Sequence, residues 1–382
     1  MASPYKIHAP STARRPCQKY TAQIEIGKIR LKREAVVIMK YVTGGGLRID
    51  YLITPEGQAH IGLPGGNALY AAVGASVWTG QVGLWARIGA NFPAAWLVDL
   101  AQRGLGTAGL VRVPGDQDHR TFFAYLPDGR RDDTHPAQHF RRINQPLPAA
   151  LADYVHSTPG QDDPATFEPL ALRPIDWPAA YQGVTAVHLS PHSLRSHLFI
   201  PGKLRQSGVQ TITLDPGERY MIPALSAYLR SFLPAIDAFL PSDQEIRSLF
   251  GDQIEVEKAA DILCDWGAKI VVIKLGPEGV LVREQNGRAF RLSPYYPPDS
   301  HKIVDVTGAG DAFCGGFMAG LAQTRNALTA AKMGLVSASF ALEGYGALNA
   351  LGVKRQAALE RLVEIHLRQN KKPGALLKTH QV

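Results

Sequence analysis

Residues 67–114, NALYAAVGASVWTGQVGLWARIGANFPAAWLVDLAQRGLGTAGLVRVP, decide the fold class. The first fourteen are alanine-rich, with apolar spacing suited to a buried helix, and QVGLWARIG then reads as a short strand. PAAWLVDLAQRG reads as a helix ending at Gly104, and GLVRVP as the next strand. Further along, TAVHLSP (185–191), TITLDPG (211–217), AFLPSD (238–243) and IVVIKLG (270–276) are buried-strand runs, each ending in a polar or turn residue. Strands alternating with helices imply βαβ units. The expected fold is a three-layer α/β/α domain with a mostly parallel central sheet covered on both faces, its ligands at the carboxyl ends of the strands.

Two stretches break this rhythm. LRIDYLITPEGQAHIG and HRTFFAYLPDGRR alternate apolar and polar residues, which suits a small exposed sheet, with segments at about 48–62 and 119–131. Residues 132–178 are proline-rich and polar, and read as a long surface excursion with short helices. VKRQAALERLVEIHLRQNKK reads as an amphipathic helix fading into a basic tail. The expected division is therefore 1–38 as a basic extension, 39–355 as the main α/β domain, and 356–382 as a carboxyl-terminal helix and tail.

The chain has 382 residues, 45% of them hydrophobic, which is enough for a substantial core. Its net charge of +8 is unevenly placed: residues 1–40 carry +7 and residues 354–382 carry +5, leaving −4 between them. A nucleic-acid surface belongs on the folded body, so the basic ends read as solvated tails and no nucleic-acid partner is expected. No apolar run is long enough to span a bilayer and no secretory leader is apparent, so a soluble, cytoplasmic protein without a membrane partner is expected. MKYVTGGGLRIDYLIT, from Met39, reads as the natural opening of an α/β domain; either Met39 is the true start or residues 1–38 are a loose extension. Cys17, Cys264 and Cys314 are too few and scattered for a disulfide framework or a zinc site, and read as free thiols.

HKIVDVTGAGDAFCGGFMAGLAQ (301–323) runs from a β-prone segment through Gly-Ala-Gly into a helix with small residues along one face. Glycines in a first helical turn let backbone N–H groups converge where the helix dipole adds positive charge, which makes an anion hole. Asp311 beside such a hole fits a base that deprotonates a hydroxyl attacking a phosphoryl group. It also fits a plain helix-capping aspartate on a tight turn. Taken alone, the stretch leaves both readings open.

DVTGAGDAFCGGF (305–317) resembles the carboxyl-side signature of the PfkB, or ribokinase-like, carbohydrate kinases, and the likeness runs from about Tyr41 to Ala347. GGGLRID (44–50) resembles that family's opening strand and turn, and GLPGGNALYAAVGASVWTG (62–80) resembles its Gly-Gly-x-Gly-x-Asn region. The resemblance implies a ribokinase-like fold and transfer of the γ-phosphoryl group of ATP, with Mg2+, to an alcohol of a sugar, nucleoside or related small molecule. It implies Asp311 as general base and Gly308, Ala309 and Gly310 as the anion hole. Asp50, Gly65, Gly66 and Asn67 would hold the acceptor, and a carboxylate at Asp50 suits two vicinal hydroxyls. KLGPEGVLV (274–282) resembles the nucleotide-side hairpin, placing Lys274, Gly276 and Gly279 along the ATP, and Gly346 of GYGA falls where the family closes the adenine pocket. Asp305 matches a position that helps to hold a monovalent cation, which implies K+.

The family's Asn-x-x-Glu appears here as SDQE: Glu245 is retained for magnesium, through water, and Ser242 stands in place of asparagine. Leu335 stands near where relatives offer the nucleotide a polar side chain. The half-polar stretches become a lid that excludes water from the acceptor, with Arg130 and Arg131 at its edge and Tyr51, Phe122 and Tyr125 as candidates for a nucleobase clamp. GLGTAG (104–109) matches a dinucleotide motif letter for letter but follows a helix, so it reads as a helix stop and turn. His188, His192 and His197 read as ordinary polar residues near the acceptor side. The leading expectation is an ATP-dependent sugar kinase, monomeric or homodimeric; the alternatives are a nucleoside kinase and a non-catalytic binding protein of the same fold.

Overall fold

Val42, Leu84, Val187, Ile212, Phe239 and Val271 are buried residues of short β-prone runs, and each run forms one strand of a nine-stranded sheet in the computed structural model of the protein. The structure describes residues 20–25, 28–33, 38–156, 159–285 and 287–370. The expectations for residues 1–19, including Cys17, and for the basic tail beyond 370 lie outside them. Two compact units result, residues 1–38 and 39–382. In the first, β1 (Tyr20–Glu25) and β2 (Lys28–Arg33) pair as an antiparallel hairpin.

The second unit holds the central sheet. Its strands are β3 (Tyr41–Gly44), β6 (Val82–Ile88), β7 (Gly106–Arg112), β10 (Ala186–Leu189), β11 (Thr211–Leu214), β12 (Ala238–Phe239), β13 (Ile270–Lys274), β14 (Val280–Glu284) and β15 (Ala289–Leu292). They lie in the order β15-β14-β13-β12-β11-β10-β3-β6-β7, parallel from β7 to β13 and antiparallel at the β13–β14–β15 edge. One face is covered by α1 (Asn67–Ser76), α2 (Ala94–Gln102), α8 (Ala309–Thr324), α9 (Ala327–Ala341) and α10 (Arg355–Asn370). The other face is covered by α4 (Leu194–Gln206), α5 (Ser226–Phe232), α6 (Asp243–Phe250) and α7 (Val256–Asp265).

A four-stranded sheet, β5-β4-β8-β9, forms the lid from β4 (Arg48–Ile53), β5 (Ala59–Gly65), β8 (Arg120–Tyr125) and β9 (Arg131–Asp132). Its outer face is a small core of Tyr51, Ile53, Phe122, Ala124, Phe140 and Leu151, built against α3 (Pro136–Arg142) and the turn that follows. Because side chains alternate along a strand, Arg48, Asp50, Thr121, Phe123 and Tyr125 belong to the opposite, inner face. This corrects the clamp expectation for Tyr51 and Phe122, which are used up in holding the lid together.

Three other expectations need adjustment. Residues 132–178 do carry short helices, yet Phe140, Leu151 and Leu172 from this segment are buried. GLGTAG is a helix stop only at Gly104, whose φ is 91°; Gly106 to Gly109 already belong to β7. Residues from 356 onward were set apart, but α10 belongs to the same unit: the Arg361 guanidinium lies 3.7 Å from the Phe340 ring centre and bonds to Glu343.

The closest packing joins α1 to α8. A Cβ on Gly315 would lie 1.8 Å from the Ala71 carbonyl oxygen, and one on Gly74 would lie 2.1 Å from that of Ala312. The small residues read along α8 are thus the condition for two backbones to touch. Gly315→Ala is expected to destabilise the protein by about 3 kcal/mol or more, since neither backbone can retreat; urea unfolding with an unchanged midpoint would contradict this account.

Candidate active site

The first turn of α8 is opened by Gly308, whose φ of 70° is left-handed and whose Cα faces the Tyr70 ring so closely that a Cβ would lie 2.1 Å from it. Thr307 N–H donates to Asp305 Oδ1 at 2.9 Å, and the Thr307 hydroxyl bonds to the Tyr125 hydroxyl at 2.8 Å, joining lid to body. Past this pin, the free N–H groups of a first helical turn point outward near Gly310. Asp311 sits in that turn, half-buried. Burial raises its carboxyl to about 6; Lys274 pulls it down, Glu245 pushes it up and Arg131 pulls it down.

Lys274 comes from the end of β13, with its Cδ the nearest atom, at 3.9 Å, to a Cβ placed on Gly310. Its ammonium forms a buried ion pair with Asp215, and lies 3.8 Å from Cys314 Sγ, one turn past Asp311. Cys314 Sγ is 3.5 Å from Asp215 Oδ2. Burial raises the Asp215 carboxyl, opposed by Lys274; the same burial pushes the Cys314 thiol well up, so it is no nucleophile. Asp215 Oδ1 is buried without a hydrogen-bond partner. Sequence reasoning did not single out Asp215. The available signal was its place at the carboxyl end of TITLDPG, where an open α/β sheet gathers its ligands.

Ser242 has a definite role. Its hydroxyl accepts from Glu245 N at 3.3 Å, while its own N–H and hydroxyl donate to Glu245 Oε2 at 2.6 and 2.8 Å, a reciprocal cap on α6. Glu245 is buried and raised to about 7, by burial and then by Asp215. No group of three His, Cys, Asp or Glu among the described residues forms a ready metal cage. The carboxylates of Glu245 and Asp215 suit a hard cation held mainly by water and phosphate oxygens, the usual habit of Mg2+.

Gly276 and Gly279 form the β13–β14 turn with φ of 55° and 93°. A Cβ on Gly279 would lie 2.0 Å from the Leu292 carbonyl, so the turn is pressed flat against β15. Gly346 lies elsewhere: with φ of 76°, it faces Leu63 of the lid, next to Tyr345, which stacks on His60 at 3.8 Å. Tyr345 and Asp305 share a cleft of about 230 Å3 with Thr54, Glu56 and Tyr125. The structure places Gly346 against the lid, beside the cleft that Asp305 lines.

On the acceptor side, Asp50 projects from β4 over Gly65, where a Cβ would meet its Oδ2 at 1.8 Å. The Tyr70 hydroxyl lies 3.5 Å from the same oxygen. Burial lifts the Asp50 carboxyl to about 7, offset by Arg48. Asn67 accepts from Gly46 N–H at 2.8 Å and donates to the Pro191 carbonyl at 2.7 Å. Its amide thus ties the β3–β4 turn to the end of β10, leaving one N–H and one lone pair free. Gly66, with φ of 95°, closes against the Gly46 carbonyl.

The three histidines are buried and hydrogen-bonded. His188 Nδ1 meets the Thr213 hydroxyl at 2.9 Å, His192 Nε2 accepts from Leu172 N–H at 3.2 Å, and His197 Nδ1 meets the Tyr220 hydroxyl at 2.5 Å. Burial lowers all three to about 3, so they stay neutral.

Comparison with known proteins agrees with this architecture. The model of the family described as pfkB family carbohydrate kinase matches residues 204–352. A cytidine kinase of Thermococcus kodakarensis is 29% identical over 309 residues, covering 81% of this chain and 98% of that protein. Among solved structures, Arabidopsis thaliana ribokinase complexed with ribose and ATP aligns with a TM-score of 0.60 at 18% identity, covering 85% of this chain and 98% of its own. A Burkholderia thailandensis nucleoside kinase in complex with inosine aligns with a TM-score of 0.60 at 15% identity, covering 85% and 96%.

Proposed function

The chain belongs to the pfkB family of carbohydrate kinases, and from this we propose that Asp311 is the base of an ATP-dependent phosphotransferase whose acceptor is an alcohol of a sugar or nucleoside. One observation carries the assignment of the base: a half-buried carboxylate raised to about 6, beside an open helix N-terminus and the Lys274 ammonium. Such a carboxylate is ionised at neutral pH yet basic enough to accept a hydroxyl proton in the transition state.

In this reading the acceptor is gripped by Asp50 and the backbone of Gly65 and Gly66, while the remaining N–H of Asn67 reaches a further oxygen. As the acceptor oxygen attacks the γ-phosphorus and the bond to the ADP oxygen breaks, the hydroxyl proton moves to Asp311. The negative charge on the transferring group faces the N–H groups at Gly308, Ala309 and Gly310, and Lys274 adds a positive charge. Gly276 and Gly279 give the nucleotide a flat backbone to lie on. Bound Mg2+ would neutralise phosphate oxygens, with Glu245 and Asp215 facing its water shell. The lid excludes water, which would otherwise take the phosphoryl group. Asp305, whose carboxyl burial raises and which accepts from Thr307 N–H, is the place for a monovalent cation.

The direct test is ADP release from ATP and Mg2+ across aldoses, sugar acids and nucleosides, with K+ and then with tetramethylammonium. No acceptor-dependent ADP from any class would overturn the kinase assignment for this chain. A lower rate in tetramethylammonium is the expected mark of a cation at Asp305. A second prediction concerns pH. Because Asp311 works ionised and Asp50, raised to about 7, grips the acceptor, kcat/KM is expected to rise with pH from about 5 and to level off only above about pH 7. A profile flat from pH 5 upward would remove Asp311 from the proton transfer.

A further inference from the structure

Arg48, at the acceptor end of the site, is a cation that no described carboxylate meets in a direct ion pair, although Asp118 and Asp50 act on it from farther away. It lies two residues before Asp50, on the inner face of β4, and its Nε is 3.5 Å from the position of a Cβ on Gly46, with Asn67 Oδ1 at 3.7 Å from that same point. Among the described residues its one hydrogen bond is from Nη1 to the Asp118 main-chain carbonyl at 3.1 Å. The Asp118 carboxylate is itself taken by Arg120, in two bonds of 2.9 and 2.7 Å. No ion pair to Arg48 occurs within 4.0 Å among the described residues. Burial weakens its hold on the proton, and the opposing pull of Asp118 and Asp50 does not restore it.

A second donor stands beside it. His192 follows Pro191, whose carbonyl Asn67 grips, and since His192 Nε2 accepts from Leu172 N–H, the ring proton is on Nδ1. No hydrogen bond to Nδ1 occurs among the described residues, and the ring keeps a small exposed area. His192 also feels the charge of Arg48. Arg48 is half-buried, so the donors that its bond to Asp118 leaves over are open to a ligand. A sugar hydroxyl needs no such fork; a planar edge with two adjacent acceptor atoms does.

Building on the kinase reading, we propose that Arg48, with His192 as a second donor, recognises a planar two-acceptor edge on the acceptor molecule, at the end away from the phosphorylated hydroxyl. The carboxylate of a sugar acid offers such an edge, and so does the O2/N3 edge of a cytosine. Asp50 then holds vicinal hydroxyls between that edge and Asp311. Arg48 selects the acceptor and takes no part in the proton transfer.

The test uses three probes that share a pentose frame: D-ribose, D-ribonate and cytidine. Binding to the full chain is measured by calorimetry, and turnover by ADP release, for the native protein, Arg48→Met and Arg48→Lys. At least one of ribonate and cytidine is expected to bind tenfold or more tighter than ribose, and the one that does identifies the source of the edge. Arg48→Met should erase that advantage, raising KM for the preferred probe about a hundredfold while leaving KM for ATP within twofold. Arg48→Lys keeps the charge without the fork and should recover only part of it. Equal binding of all three probes, or an advantage that survives in a folded Arg48→Met protein, overturns the inference. Those results leave the kinase assignment standing if ADP is still released, whereas probe binding without ADP from any acceptor counts against the kinase assignment alone.

Discussion

Asp311→Asn is expected to lower kcat by about a thousandfold, the middle of the range for loss of a positioned general base, with KM for both substrates changed far less. Asparagine keeps the shape, and as a helix-start residue it is as good as aspartate, so a mere capping role predicts nearly full activity. A drop of less than tenfold, measured at pH 7.5 on any accepted substrate, would exclude the base assignment. The same variant should also be more stable. Asp311 has its folded carboxyl raised to about 6 from an ordinary value of 3.8, so the native state holds a proton that the unfolded chain has already released. Stability contributed by that proton is present below about pH 4 and lost as pH rises to 6. At pH 8 the asparagine variant, spared this loss, should melt higher than the native protein, by an amount corresponding to roughly 3 kcal/mol. At pH 4 the difference should vanish.

Asp215→Ala should cost about 3–5 kcal/mol of stability, because it strands the Lys274 ammonium in a buried place. Cys314, 3.8 Å from that ammonium, is a protonated thiol and offers no compensating charge. A double change, Asp215→Ala with Lys274→Met, removes both charges and is expected to recover most of the stability while remaining inactive. Urea unfolding of the two proteins gives the answer; a single variant as stable as the native chain would mean that the pair is not structurally needed.

The sheet was legible because each strand is a short apolar run ending in a turn, and parallel strands buried on both faces leave few other readings. The loop-and-helix motif at 305–317 was legible because glycines are required there: Gly308 is left-handed against Tyr70, and Gly315 meets the backbone of Ala71. Residues whose partners lie far along the chain were less so. Asp215 and Lys274 are 59 positions apart, and Asn67 reaches across 124 positions to Pro191. Nothing local marks such a pair. Tyr51 and Phe122 were misjudged because period-2 alternation says which residues share a face but not which face meets the body. Ser242, read as a departure from a pattern, proves to be a helix cap that fixes Glu245.

The contact between α1 and α8 has one further consequence. The helix that begins with Asn67 and the helix that carries Asp311 touch backbone to backbone, through Gly74, Ala312, Gly315 and Ala71. The floor of the acceptor site and the phosphoryl end are therefore one piece of masonry, while Arg48, Asp50 and the inner aromatic row hang on a separate sheet. A protein built this way can be retuned to a new substrate by exchanging the hanging sheet, leaving the stonework uncut. Grafting a relative's segments over 48–65 and 120–132 is therefore the natural first experiment in redirecting it.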